Sequence, residues 1–315
     1  MQNDITILGG IDPEITEHIA TRREAIRKGA TMSSGMAAAL ALGSIPVALA
    51  ALSRNAYAQG TPADVQAVID FALMLEIFEN EFYKAVLGTS DSAVQNTAFT
   101  AVRAMVPPTA LPAIQQIQKH EAAHVEFLLD NGAVNTLDLD ADSFDFTGGR
   151  GSGTGPFAQA TADLDHLLAV AQGAEDTGVR AYKGQAGNLM SNTVVLESAL
   201  RIHSVEARHA AKIRRLRRQT GAPAVVKYSG TISGGGASAA GAGNLTNVPA
   251  AATAAFALIY EGEGNTTQAG VNITTLPNLP SGIDVTAAAT EAFDEPLTKE
   301  QVVAIVQPFF IDDLS

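Results

Sequence analysis

Leu75-Glu76-Ile77-Phe78-Glu79-Asn80-Glu81-Phe82-Tyr83 and Glu175-Asp176-Thr177-Gly178-Val179-Arg180-Ala181-Tyr182 share one spacing, a glutamate followed seven residues on by a tyrosine. Each is followed further along the chain by Glu-x-x-His: His120-Glu121-Ala122-Ala123-His124-Val125 after the first, Val205-Glu206-Ala207-Arg208-His209 after the second. One pattern is written twice, E-x6-Y and then E-x-x-H. Residues three apart on a helix share a face. Four carboxylates and two imidazoles in this order are a set with which a four-helix bundle holds two metal ions in its core.

The surrounding residues predict the helices. Val65, Ile69, Ala72, Glu76, Glu79 and Tyr83 alternate steps of four and three, which is one helix face. Ile114, Ile117, Glu121, His124 and Leu128 do the same, as do Leu164, Leu168, Ala171, Glu175, Gly178 and Tyr182. Val195, Ala199, Ile202, Glu206, His209, Ile213 and Leu216 make a fourth stripe. The punctuation sets four long helices: from Pro62, with Thr61 as N-cap, to Gly88; from Pro112 to Asn131-Gly132; from Pro156 to Gly184; and from Ser191 to Thr220. A short helix or turn is expected around 91–105, before Pro107-Pro108, and a loop from Leu137 to Pro156. All six proposed ligands are in phase with leucines and isoleucines. A buried, unpaired carboxylate is costly, and four that converge repel one another. Two cations resolve the conflict; a solvated polar face does not explain the phase.

The four segments quoted above resemble the ferritin-like superfamily, and more narrowly the bacterial ferritin-like domain proteins of the desiccation-related type. Gly262-Glu263-Gly264-Asn265-Thr266-Thr267-Gln268 and Ala292-Phe293-Asp294-Glu295-Pro296-Leu297-Thr298 are similar to the same group, so the resemblance covers about residues 60–312. It implies a ferritin-like four-helix bundle. It implies that Glu121 and Glu206 bridge two metals, that Glu76 and Glu175 are terminal carboxylate ligands, and that His124 and His209 supply nitrogen. Carboxylate and imidazole suit two Fe or Mn ions, whose sites keep open positions for O2 or peroxide. Tyr83 and Tyr182, two turns beyond the lone glutamates, either hydrogen-bond the ligands from behind or pack near the bundle end; both readings stand. The expected activity is a di-iron or di-manganese oxidoreductase, ferroxidase-like or peroxide-consuming, in oxidative or desiccation stress. A non-enzymatic envelope or stress protein with the bundle as scaffold is the alternative.

Beyond Gly221 the composition turns to Gly, Ala, Thr and Ser. Residues 221–315 are expected to form a partly β extension of loops and short strands, at Ala224–Tyr228 and Ala254–Tyr260, wrapping the all-α core of residues 60–220. A last helix is expected from the capping box Thr298-x-x-Gln301 to about Gln307.

Composition narrows the function classes. The 315 residues contain no cysteine, which excludes disulfides, thiolate metal sites and thiol catalysis. The formal charge of −13 makes nucleic acid a poor partner, and the clustered Lys212, Arg214, Arg215, Arg217 and Arg218 read as a solvated or inter-subunit patch. A homo-oligomer is left open; the long extension is sterically awkward for a closed ferritin shell. Residues 1–58 read as a twin-arginine export signal: Arg22-Arg23, a weakly apolar stretch, and Ala56-Tyr57-Ala58 before Gln59. Ala25 stands where such signals usually carry phenylalanine. A retained membrane anchor over Met32–Leu52 is the competing reading. The expected location is therefore the periplasm or cell envelope.

Two further motifs overlap or adjoin the repeated pattern. His120-Glu121-x-x-His124 matches the zinc-protease pattern, which would leave the second half of the repeat unexplained. Asp138-x-Asp140-x-Asp142 begins like a calcium loop, but Ser143 and Gly149 stand where a turn glycine and a bidentate glutamate belong, so it reads as a solvated acidic loop.

Overall fold

The structure is a computed structural model, and it describes residues 62–219, 250–279 and 281–314. The expected export signal and the expected strand at Ala224–Tyr228 lie outside the described residues. Among the described residues, no helix is long and apolar enough to cross a membrane.

Four long helices carry the fold: α1 (Ala63–Leu87), α4 (Leu111–Asp130), α5 (Leu164–Gln185) and α6 (Thr193–Gln219). Between the first two lie the short α2 (Ala93–Ala98) and α3 (Thr100–Arg103). Gly88 ends α1 in the left-handed region, φ 77°, and its N–H reaches the carbonyls of Ala85 and Lys84. Arg103 closes the same end by donating to Ala85 (2.7 Å) and Val86 (2.8 Å). Helix α5 begins at Leu164, later than expected, because Asp163 caps it by accepting the His166 N–H at 2.9 Å.

Cross-helix hydrogen bonds fix the directions. Along α1 toward its C-terminus, Asp70 meets Val134 and Asn80 meets Gln118, so α1 and α4 run antiparallel. Gln172 with Arg217, and Asp176 with Arg214, do the same for α5 and α6. Tyr83 with Glu175, and Tyr182 with Glu76, set α1 antiparallel to α5. Helices α4 and α5 therefore point the same way, and residues 131–163 must travel the length of the bundle to join them. A bundle with one long crossover is the result.

That crossover is ordered by its own chemistry. The buried Asp145 carboxylate accepts the backbone N–H groups of Thr147 (3.0 Å), Gly151 (2.9 Å) and Gly153 (2.9 Å) and the Thr147 hydroxyl. Burial works against its charge, but those donors hold it below the usual carboxylate range. Asp140 caps a short turn at Ala141–Ser143, and Asp138, Asp140 and Asp142 stay exposed, as an acidic loop requires. Phe144 and Phe146 fold inward onto Phe78, Phe82 and Phe99, Phe309 and Phe310 of the C-terminus join them at Phe78, and Phe157 stacks on Phe309. Helix α1 is thereby covered on its second face and is buried from Phe71 to Val86 apart from Ala72 and Lys84.

The extension contributes α7 (Ala250–Ile259), a hairpin of β1 (Thr267–Gln268) and β2 (Val271–Asn272), α8 (Val285–Glu291) and α9 (Lys299–Val306). The expected strand at Ala254–Tyr260 is instead helix α7. Its run of alanines favours helix, and Ala252, Phe256 and Ile259 are buried at helical spacing. The Thr298–Gln301 capping box forms as expected. Gly184 is required where the extension crosses α5, since a Cβ there would lie 1.9 Å from the Leu297 carbonyl oxygen.

The basic run on α6 is not wholly solvated, contrary to expectation. Arg214 binds both oxygens of the buried Asp176 at 2.5 Å, and Arg217, 1% exposed, reaches Gln172 at 2.8 Å. Tyr260 of the extension donates to Asp176 at 2.6 Å and accepts from Gln172 at 3.0 Å. Two of the five cations thus face inward to hold the extension; they are not part of a solvated patch.

Candidate metal centre

The six residues picked out by the repeat meet at mid-bundle. Glu76, Glu121, His124 and Glu206 form one group, and Glu121, Glu175, Glu206 and His209 a second. Within each group one potential ligand atom per residue lies within 4.8 Å of the others. Glu121 and Glu206 belong to both groups. The four carboxylates are 0% exposed.

Both imidazoles turn Nδ1 inward. His124 Nδ1 lies 3.0 Å from Glu76, 3.1 Å from Glu121 and 3.1 Å from Glu206. His209 Nδ1 lies 2.7 Å from Glu121, 3.2 Å from Glu175 and 3.5 Å from Glu206. His124 Nδ1 is in hydrogen-bond contact with Glu76 and Glu121, but other atoms of the centre are not satisfied in this way. His209 Nδ1, Glu121 Oε1, Glu175 Oε2 and both oxygens of Glu206 are buried without a directed hydrogen bond. Buried polar atoms are nearly always satisfied. Five that face one another could hold a cation.

Residues 64–219 match the family model described as a ferritin-like domain. The segment is a ferritin-like domain. Comparisons with curated proteins and with solved structures gave no match.

The ferritin-like domain holds its lone glutamates from behind. Tyr83 donates to Glu175 Oε1, across the bundle, and Tyr182 donates to Glu76 Oε1 at 2.5 Å. Each tyrosine serves the other repeat's glutamate, fixing one oxygen outward while the second faces the centre. Of the two readings left open by the sequence, hydrogen bonding to the ligands is the one observed. Behind His209, His120 Nδ1 lies 2.8 Å from Nε2 and the rings stack at 5.1 Å. Burial and the neighbouring His209 keep His120 below the usual imidazole range, and its ring braces His209 from the side away from the carboxylates. His120 is outside both ligand groups, so the zinc-protease reading, which needs it beside His124 on one ion, has no geometric support.

Burial sets the charge state of the ion-free centre. It pushes Glu76 up to about 8 and raises Glu175 well above the usual range. Glu206 is held low in spite of burial, because both imidazoles face it. His124 and His209 are pushed up by the surrounding carboxylates, against their own burial. Protons shared among these groups stand where cations would.

Replacing Tyr83 or Tyr182 by phenylalanine is expected to weaken metal uptake by about 10–100-fold, the usual cost of losing a partner behind a ligand. Metal titration of each variant checks this, and unchanged affinity would return both tyrosines to simple packing.

Proposed function

We propose that the protein is an exported carboxylate-bridged two-metal protein, carrying two iron or manganese ions per chain and acting as an oxidoreductase on O2 or peroxide. The observation that supports it is the set of buried, unsatisfied oxygens and nitrogen in a core of four glutamates and two histidines. Four carboxylates supply four negative charges, which two divalent cations neutralise, and a neutral imidazole completes each group. When bound, such ions supply one-electron changes of oxidation state toward O2 or peroxide.

The chain's own residues do the rest. Tyr83 and Tyr182 hold Glu175 and Glu76 in place, and His120 orients His209. Bulk water is excluded by the apolar neighbours of the centre on α1 and α5, among them Leu75, Phe78 and Ala171. Export by the twin-arginine route, which carries folded proteins, would let the ions be taken up before the chain meets competing metals outside.

The test is metal analysis of the full chain, with anaerobic Fe(II) addition followed by O2. About two ions per chain are expected, with uptake lost in a protein carrying Glu121→Ala and Glu206→Ala. Fewer than two ions, together with no effect of the double change, removes the reading. The complete burial of the four carboxylates equally suits a purely structural metal in a scaffold protein. A metal-replete sample that neither oxidises Fe(II) nor consumes peroxide would select that second reading.

A further inference from the structure

A cavity of about 30 Å³ lies at the end of the bundle where α1 begins and α4 ends, and all four long helices line it. It adjoins the centre. Leu75 precedes Glu76 in the chain, Leu128 follows His124 by one turn, and Ile202 stands one turn before Glu206. Tyr182 lines the cavity and donates to Glu76 at 2.5 Å, so one side chain separates the space from the carboxylates. Farther out, Val68, Ala72, Gln185 and Ala199 are half-buried and make the rim.

The wall of this cavity offers water little. Tyr182, Gln185 and Ser198 are its polar side chains, and the rest are aliphatic or phenyl. The Tyr182 hydroxyl is engaged by Glu76, Ser198 donates back to the Val194 carbonyl at 3.1 Å, and Gln185 Oε1 accepts from Asn188 at 2.8 Å on the rim. A buried water needs about two to four polar partners, and an apolar cavity without them stays dry. The space also exceeds the roughly 10–15 Å³ that a single water requires. It suits a small nonpolar molecule. Hydrogen peroxide, with two O–H donors, would leave its hydrogen bonds behind in water on entering, whereas O2 has none to lose.

We propose that this cavity is a binding site for a small nonpolar gas and that it passes O2 to the centre, with Ala72 and Ala199 the small residues that keep its mouth open. The inference rests on the two-ion reading above and narrows it. The oxidant favoured from this end of the bundle is O2, and peroxide gains nothing from the route.

Xenon tests the cavity without metal or turnover, because it enters dry apolar cavities of this kind. The full chain should shift the xenon NMR signal saturably. Ala199→Phe places a ring at the mouth and should abolish the shift, and Leu189→Ala enlarges the space and should strengthen it. Circular dichroism confirms that each variant is folded; Ala72→Leu obstructs the same mouth from α1 and serves if the phenylalanine does not fold. The Fe(II)-loaded chain is then mixed with O2 or with hydrogen peroxide. Ala199→Phe should slow oxidation by O2 about tenfold and leave oxidation by peroxide unchanged. No saturable xenon shift in the unmodified chain overturns the site, and an unaltered shift in Ala199→Phe overturns its placement here. Unslowed oxidation by O2 in a variant that has lost xenon, or equal slowing with both oxidants, overturns the delivery of O2. A chain that binds xenon but takes up no Fe(II) keeps the cavity and overturns the two-ion reading instead.

Discussion

Stripping the ions at pH 8 is expected to lower the unfolding temperature by on the order of 10 °C, whereas the same treatment at pH 5 should change it little. The difference follows from what the ion-free centre must do with its charge. Burial raises Glu76 from 4.5 to about 8 in the folded chain. A carboxyl group raised in this way binds its proton more tightly folded than unfolded. Its contribution to stability is complete below 4.5 and is lost as the pH rises through about 8. Glu175, also raised well above its ordinary value, acts in the same direction. So do His124 and His209, whose charged forms the carboxylates favour in the folded state; their contribution is complete below the ordinary imidazole value and is lost only as the pH rises through their raised folded values. Glu206 is held low and works the other way, but only as the pH falls below its ordinary value.

For Glu76 alone the shift corresponds to a ceiling of about 5 kcal/mol, at 1.36 kcal/mol per pH unit. Cations that replace those protons remove the loss, so affinity should rise with pH and each ion taken up should release protons. Melting curves of chelated and metal-loaded protein between pH 5 and 8, with calorimetry in two buffers of different ionisation enthalpy, give the result. Parallel melting curves across that range would mean that protons alone satisfy the centre.

Arg180→Met is expected to cost about 3–5 kcal/mol, the range for removing one partner of a buried ion pair. Arg180 is, with Arg217, one of the two largest fully buried side chains among the described residues, and it projects from α5 into the extension. Its Nε lies 3.1 Å from Glu263 and donates to the Glu295 carbonyl at 2.7 Å. Its terminal nitrogens donate to the carbonyls of Ile259 and Glu261, and its own carbonyl accepts the Leu297 N–H at 3.2 Å. Glu263 in turn accepts the Glu295 N–H at 2.6 Å. One guanidinium thus satisfies three backbone carbonyls from two separate stretches of the extension. Methionine retains much of the apolar length but none of the donors, leaving those carbonyls and Glu263 without it. The unfolding temperature should fall by on the order of 10 °C. Limited proteolysis should then cut near residues 260–297 before it cuts the bundle. A variant that melts and resists protease like the unmodified chain would show that the extension is held by apolar packing alone.

The sequence by itself determined the parts of this protein that repeat along a helix. The stripe on α4, Ile114, Ile117, Glu121, His124 and Leu128, is buried at every position. A period of 3.6 residues places side chains on a face whatever lies opposite, and metal ligands must lie on the inner face. The six converging residues, the four long helices and the Thr298–Gln301 cap were legible for that reason. Only the tertiary structure decided what meets what. A stripe names a face but not its neighbour, so the exchange of tyrosines between repeats could not be read from either helix alone. Whether a second face is buried depends on what covers it. Phe144, Phe146, Phe309 and Phe310 come from distant segments, and they turn the outer face of α1 into core. The same covering decides that Arg180 and Arg214 are internal partners and that the alanine-rich 250–259 segment is a helix against α5.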